Sequence, residues 1–73
     1  MVAFDRITFD PHILGGRACI RGTRIPVSVL VKQIAHGATR DEVLADYPDL
    51  EPEDLQAALE YAAWLTSEAV GPV

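Results

Sequence analysis

Few side chains in this sequence could do covalent chemistry or hold a metal. The histidines are His12 and His36, and the single cysteine is Cys19. None of them stands in a motif that pairs a nucleophile with a base or gathers metal ligands, such as C-x-x-C, H-E-x-x-H or G-x-S-x-G. Neighbouring residues also cannot supply three zinc ligands at the usual spacing. The sequence therefore predicts a binding protein and not an enzyme, with no catalytic residue, no metal and no cofactor.

Cationic side chains are concentrated around one predicted turn, near residues 17–24. Three arginines, a glycine and a threonine occupy this segment. Guanidinium groups, a hydroxyl and the backbone N–H groups of such a turn can all bind phosphate. With two further cations, they form the candidate DNA- or phosphate-binding set: Arg17, Arg21, Thr23, Arg24, Lys32 and Arg40.

The residues of this turn are also compatible with two roles that involve no phosphate, and the sequence leaves both open. Gly22 and Thr23 can serve only to shape the chain reversal, while the arginines pair with carboxylates of the C-terminal half. The arginines can also contact an acidic surface of a partner protein. Choosing among these roles requires knowing which carboxylates lie near the turn.

The two halves of the chain have opposite charge. All six lysines and arginines lie in residues 1–40 with only two acidic residues, which gives that half a net charge of +4. Residues 41–73 contain nine acidic residues and no lysine or arginine, a net charge of −9. A basic surface favours nucleic acid, and an acidic one favours a basic protein.

The predicted third helix is acidic and carries an aromatic stripe. Direct reading of DNA bases relies mainly on Arg, Lys, Asn and Gln, and here only Gln56 fits. Ala57, Tyr61 and Trp64 form a stripe roughly opposite the predicted core. Either this stripe is a protein interface, where Trp and Tyr dominate binding energy, or the N-terminal arm folds over it. The candidate partner interface is Tyr61, Trp64, Glu53, Asp54 and Glu60.

Periodicity and capping signals predict the elements that position these groups. A strand at Arg6–Phe9 and a return strand at Ala18–Ile20 form a short arm, with a turn at Gly15 and Gly16.

The first helix runs from Val27 to His36, where Gly37 ends it. Thr39 and Glu42 form a capping box at the start of the second helix, which Pro48 ends. The third helix runs from Pro52 to about Glu68. Its core stripe is Leu55, Leu59, Ala62 and Thr66, with Ala58 and Leu65 beside it.

The predicted fold is mostly α-helical, with a short N-terminal β arm and a three-helix, homeodomain-like or winged-helix-like helix-turn-helix module. We expect one domain over residues 1–73, with the arm and turns at 5–26 and the helical core at 27–68. A chain this short buries a thin core, which favours a homodimer or another partner. With no apolar run long enough for a membrane, no signal peptide and a lone cysteine, the sequence predicts a cytoplasmic protein.

Several short motifs stand in a characteristic order. They are Gly22-Thr23-Arg24-Ile25-Pro26-Val27, Glu42-Val43-Leu44, Tyr47-Pro48-Asp49-Leu50, Glu53-Asp54-Leu55, Ala57-Ala58-Leu59 and Tyr61-Ala62. With this pattern, residues 5–65 resemble the bacterial and archaeal domain-of-unknown-function family numbered 433. The chain departs from the family's usual pattern at Ala18, where Pro is common, and at Glu51, where a Thr or Ser cap is common. Losing a good cap costs on the order of 1 kcal/mol.

The resemblance implies a β arm followed by a helical core, and some members look like VapB-type antitoxins that pair with a PIN-like ribonuclease toxin. It favours the hypothesis of an antitoxin-like module that forms a homodimer, binds such a toxin and represses its own operon. A stand-alone DNA-binding regulator is the alternative. A purely structural dimerisation domain is a third, weaker hypothesis.

Overall fold

A computed structural model describes residues 4–67 of the chain. It confirms a small, mostly helical domain with three helices and a two-stranded antiparallel hairpin. In chain order the elements are β1 (Ile7–Thr8), a short 3-10 turn (Leu14–Gly16), β2 (Cys19–Ile20), α1 (Val27–Ala35), α2 (Arg40–Asp46) and α3 (Pro52–Thr66). The predicted end of the third helix near Glu68, and the tail after it, lie outside the described residues.

The hairpin is shorter than the sequence predicts. Ile7 pairs with Ile20 and Thr8 with Cys19, so neither Phe9 nor Ala18 belongs to a strand. The connection between the strands is long and contains the predicted Gly15–Gly16 turn, whose φ angles are 69° and 88°. So short a hairpin depends on the helices beneath it, and the side chains of Ile7 and Ile20 are buried there.

The first helix forms as its periodicity predicts. Val27 and Leu30 are buried, while Val31 and Ile34 on the same stripe are partly buried. Gly37 follows the helix with a φ of 99°, a conformation that side-chain-bearing residues rarely adopt. This glycine lets the chain reverse directly into the next helix.

Reciprocal capping starts the second helix, as predicted. The Glu42 N–H donates to Thr39 Oγ1 at 3.1 Å, and the Thr39 N–H donates to Glu42 Oε1 at 2.8 Å. Two of the N–H groups that a helix start leaves unsatisfied thereby gain partners. Behind this cap, Val43 is fully buried against the other helices.

The predicted core stripe of the third helix is wrong in its C-terminal half. Leu55 and Ala58 are buried as expected, but Leu65 is 55% exposed and Thr66 is also exposed. Tyr61, predicted to lie opposite the core, is instead buried at 9% exposure. The buried face of the helix therefore differs from the predicted one. The N-terminal arm packs over Tyr61, whereas Leu65 remains 55% exposed.

One apolar cluster joins the hairpin to the three helices. α1 packs mainly against α3, and α2 contacts both of these helices. The buried members of the cluster are Ile7, Ile20, Val27, Leu30, Val43, Leu50, Leu55, Ala58 and Tyr61.

Candidate functional site

The arginine-rich turn is a tightly bonded loop between β2 and α1. The Ile20 N–H donates to the Ile25 carbonyl at 3.0 Å, and the Val27 N–H donates to the Ala18 carbonyl at 2.9 Å. A bridge between Cys19 and Pro26 closes the same loop. The turn is therefore held on both sides and presents its tip in a fixed position.

Thr23 shapes this loop, which corrects its assignment to the phosphate-binding set. Its hydroxyl donates to the Ile20 carbonyl at 2.8 Å and accepts from the Ile25 N–H at 3.0 Å. A hydroxyl bonded twice to the backbone has little capacity left for a ligand. The geometry therefore favours a purely structural role for Thr23.

The three arginines of the turn do not pair with the acidic half. Arg17, Arg21 and Arg24 are all exposed, and the ion pairs found within residues 4–67 involve none of them. Arg21 and Arg24 line a shallow hollow that also contains Asp49 and the edge of Asp54. This loop therefore carries two exposed positive charges beside the exposed carboxylate of Asp49, and Arg17 adds a third just before β2.

Arg6, which the sequence analysis did not single out, makes those ion pairs. Its Nη1 atom lies 2.8 Å from Glu51 Oε1 and 2.8 Å from Asp54 Oδ1. Hydrogen bonds to Glu51 and then Asp54 raise the pKa of the Arg6 guanidinium above its ordinary value. The interaction connects the residue before β1 to the start of α3, which lies more than forty positions later in the sequence.

Asp54 is part of this structural contact, which corrects its assignment to the partner interface. The residue is 8% exposed, and its Oδ2 accepts from the Glu51 N–H at 2.9 Å. That bond is the reciprocal half of a capping box, and Glu51 directs its own carboxylate to Arg6. An acid at the cap position thus gains an ion pair that a Thr or Ser there would not make.

Lys32 and Arg40 lie apart from the arginine-rich turn. Lys32 is exposed near the end of α1, beside a hollow that contains Glu42 and Asp46. Arg40 Nη1 donates to Gln56 Oε1 at 2.9 Å, and Gln56 Nε2 donates to Glu60 Oε2 at 3.0 Å. The predicted phosphate-binding set is therefore not one site, and Gln56 is occupied within the chain.

The aromatic stripe splits into a buried ring and an exposed one. Tyr61 lies against Phe4, with ring centroids 5.2 Å apart, and against Phe9, at 5.8 Å. Trp64 is 53% exposed, with its ring 5.7 Å from Phe4 and 6.1 Å from Tyr61. Tyr61 is thus a core residue covered by the arm, which corrects its placement on the interface. Trp64 stays at the surface.

The remaining chemistry-bearing side chains lie apart from one another. Cys19 is fully buried in β2, while His12 and His36 are exposed in separate loops. Within residues 4–67, no three His, Cys, Asp or Glu side chains are grouped so as to hold a metal ion. In the same span no helix is long and apolar enough to cross a membrane.

Comparison with known proteins identifies the family. A family model described as "Protein of unknown function (DUF433)" matches residues 7–62. The chain belongs to the DUF433 family. The DUF433 domain described here is 38% identical over 60 residues to the uncharacterized protein y4eO of Sinorhizobium fredii. That alignment covers 82% of the chain and 27% of the relative, so the chain spans about a quarter of its length.

A solved structure shares the fold of this DUF433 domain. It is the crystal structure of a DUF433 member protein from Anabaena variabilis, with a TM-score of 0.78 and 45% sequence identity. The match covers 88% of this chain and 62% of the other. The fold of this chain is thus shared with a second member of the family.

Proposed function

We propose that this DUF433 domain is a binding module that holds a basic protein partner on the C-terminal half of α3. The supporting observation is an apolar patch formed by Phe9, Trp64 and Leu65, which are 52%, 53% and 55% exposed. Phe9 and Trp64 both contact the buried ring of Tyr61, and Leu65 follows Tyr61 by four residues, which places it on the same face of the helix. Exposed apolar side chains grouped around one point are typical of interaction sites, whereas isolated ones are not.

Charge around the patch favours a basic partner. Asp5, Glu53 and Glu60 line a hollow between the arm and α3, together with Phe4, whose ring contacts Trp64. Arg6 also lines this hollow, but its guanidinium is paired with Glu51 and Asp54. α3 carries no lysine or arginine that would offset these carboxylates. A basic surface approaching the patch would therefore be attracted from a distance and then held by the apolar contact.

A nuclease toxin has the required chemistry, because an enzyme that binds RNA needs a positively charged cleft. The antitoxin-like hypothesis, which the sequence resemblance suggested, is part of this proposal and would place such a toxin on the same patch. Dimer formation and operator binding belong to this proposal as well. Within it, α2 and α3 form a homeodomain-like helix-turn-helix whose last helix contacts protein and not DNA bases.

The proposal is tested by titration calorimetry of the chain against a PIN-like nuclease encoded by the adjacent gene. We expect Trp64→Ala to weaken the complex by about 2 kcal/mol or more, as at an interface hot spot. Neutralising Glu60 should mainly slow association and reduce its dependence on salt.

Two half-exposed leucines supply a matched control. Leu65 lies on the patch, whereas Leu14 lies in the 3-10 turn, and their exposures are 55% and 46%. Leu65→Ala should weaken the complex, and Leu14→Ala should leave it unchanged. The proposal is wrong if the wild-type chain does not bind the nuclease, or if Trp64→Ala binds equally well while its circular dichroism spectrum stays native.

A further inference from the structure

We infer that the loop between β2 and α1 is a second binding site, one that takes the phosphate backbone of nucleic acid. Its cationic groups are Arg21 and Arg24 in the loop and Arg17 just before β2; all three are exposed and unpaired within residues 4–67. The site is separate from the patch on α3; it rests on the operator binding included in the proposed function and names the residues that contact phosphate.

The loop offers backbone donors as well as guanidinium groups. Of its central N–H groups, that of Arg21 donates to the Arg6 carbonyl at 2.7 Å and that of Thr23 to the Ile20 carbonyl at 3.0 Å. Those of Gly22 and Arg24 donate to no other residue in the described part of the chain. Two available amides next to two guanidinium groups are the donor set that binds phosphate oxygens in protein loops.

Gly22 keeps the tip of the loop accessible. Its φ is 81°, and a side chain added there would meet nothing within 4 Å. The residue is therefore glycine because of its backbone conformation, and the space above it is open to a ligand. The bonds of Thr23 fix this conformation beforehand, which reduces the ordering cost when a ligand binds.

The distribution of charge favours a polymer over a small anion. Arg17 precedes β2 whereas Arg21 and Arg24 follow it, so the cations flank a strand and do not surround an enclosed cavity. Duplex DNA carries one negative charge per about 1.7 Å of its axis, so it can meet several separated cations at once.

An ion pair inside the fold engages one of the carboxylates that could otherwise compete with a ligand for these arginines. The carboxylate of Asp54 reaches the same hollow but is ion-paired with Arg6, which it shares with Glu51. Asp49, on the α2–α3 connection, is the exposed carboxylate that opposes an anion there. Binding should therefore be electrostatic and modest in strength, and the negative charge of Asp49 should weaken it.

The experiment is fluorescence anisotropy of a short labelled DNA duplex of mixed sequence, titrated with the full chain between about 50 and 200 mM salt. Three phosphate contacts predict a slope of about −2.7 for the logarithm of affinity against the logarithm of salt concentration. Arg21→Ala combined with Arg24→Ala should weaken binding about tenfold or more and reduce that slope by about 1.8. Asp49→Asn should strengthen binding.

The matched control removes the same charge elsewhere, through Lys32→Ala combined with Arg40→Ala, and should change affinity much less. Inorganic phosphate and poly-glutamate, added at constant ionic strength, should not displace the duplex. Displacement by phosphate would indicate a site for small anions, and displacement by poly-glutamate a site for acidic protein. Either result, equal losses in the two double variants, or no binding of the wild-type chain at low salt would overturn the inference.

Discussion

Replacing Tyr61 by alanine is the change that most directly tests the packing of the N-terminal arm on α3. The Tyr61 ring is buried and contacts Phe4, Phe9 and Trp64 at centroid distances of 5.2 to 6.1 Å. Truncating a buried aromatic side chain costs about 3–5 kcal/mol. A domain of 73 residues has a free energy of unfolding of only about 4–11 kcal/mol. Tyr61→Ala should therefore remove a large part of the stability, or all of it.

Trp64 gives the contrast within the same cluster. The residue is 53% exposed, so Trp64→Ala loses two ring contacts and less buried area than Tyr61→Ala does. We expect a loss of about 1 kcal/mol. Tyr61→Phe keeps the ring, removes only the hydroxyl and should cost less than about 1.5 kcal/mol.

Urea unfolding followed by far-ultraviolet circular dichroism measures all three variants, and its midpoint reports stability when the m-value is unchanged. We expect Tyr61→Ala to lower the free energy of unfolding far more than Trp64→Ala or Tyr61→Phe does. A loss below about 1 kcal/mol for Tyr61→Ala, or an equal loss for Trp64→Ala, would refute the assignment of Tyr61 to the core and Trp64 to the surface.

Three further changes test other parts of the structure by the same measurement. Thr39→Ala removes one bond of the capping box and should cost about 0.5–2 kcal/mol, with Thr39→Ser as the conservative control. Gly37→Ala should cost about 1–2 kcal/mol from backbone strain alone, because nothing lies within 4 Å of the added methyl group, whereas Gly37→Asn should cost less. Arg6→Gln should destabilise the domain more at low salt than at high salt, since salt screens the ion pair with the exposed Glu51 that it breaks; an effect independent of salt would contradict that pairing.

Local rules read from the sequence predicted much of the helical framework. The capping box at Thr39, the buried stripe of α1 and the glycine at position 37 each depend on residues within one or two turns of the chain. Such short-range geometry is the same in many folds, so it can be predicted without knowing the tertiary structure. The order of the charges, which divides the chain into basic and acidic halves, is likewise a property of the sequence alone.

The arm could not be placed from the sequence. Strand alternation shows that Ile7 and Phe9 share a face, but it does not show which helix that face meets. In the structure the first strand ends at Thr8, and Phe9 instead places its ring against Tyr61. α3 is rich in alanine, so its periodicity distinguished the two possible buried stripes poorly, and the arm decided between them.

The tertiary structure also decided which charges are used inside the fold. The sequence shows six cations and eleven acidic residues but not which of them meet. Arg6 reaches Glu51 and Asp54 because the strand pairing brings position 6 to the start of α3. That contact occupies two carboxylates and leaves the arginines at positions 17, 21 and 24 exposed. The sequence by itself determined where the helices begin, and long-range packing determined which side chains became core and which remained available for binding.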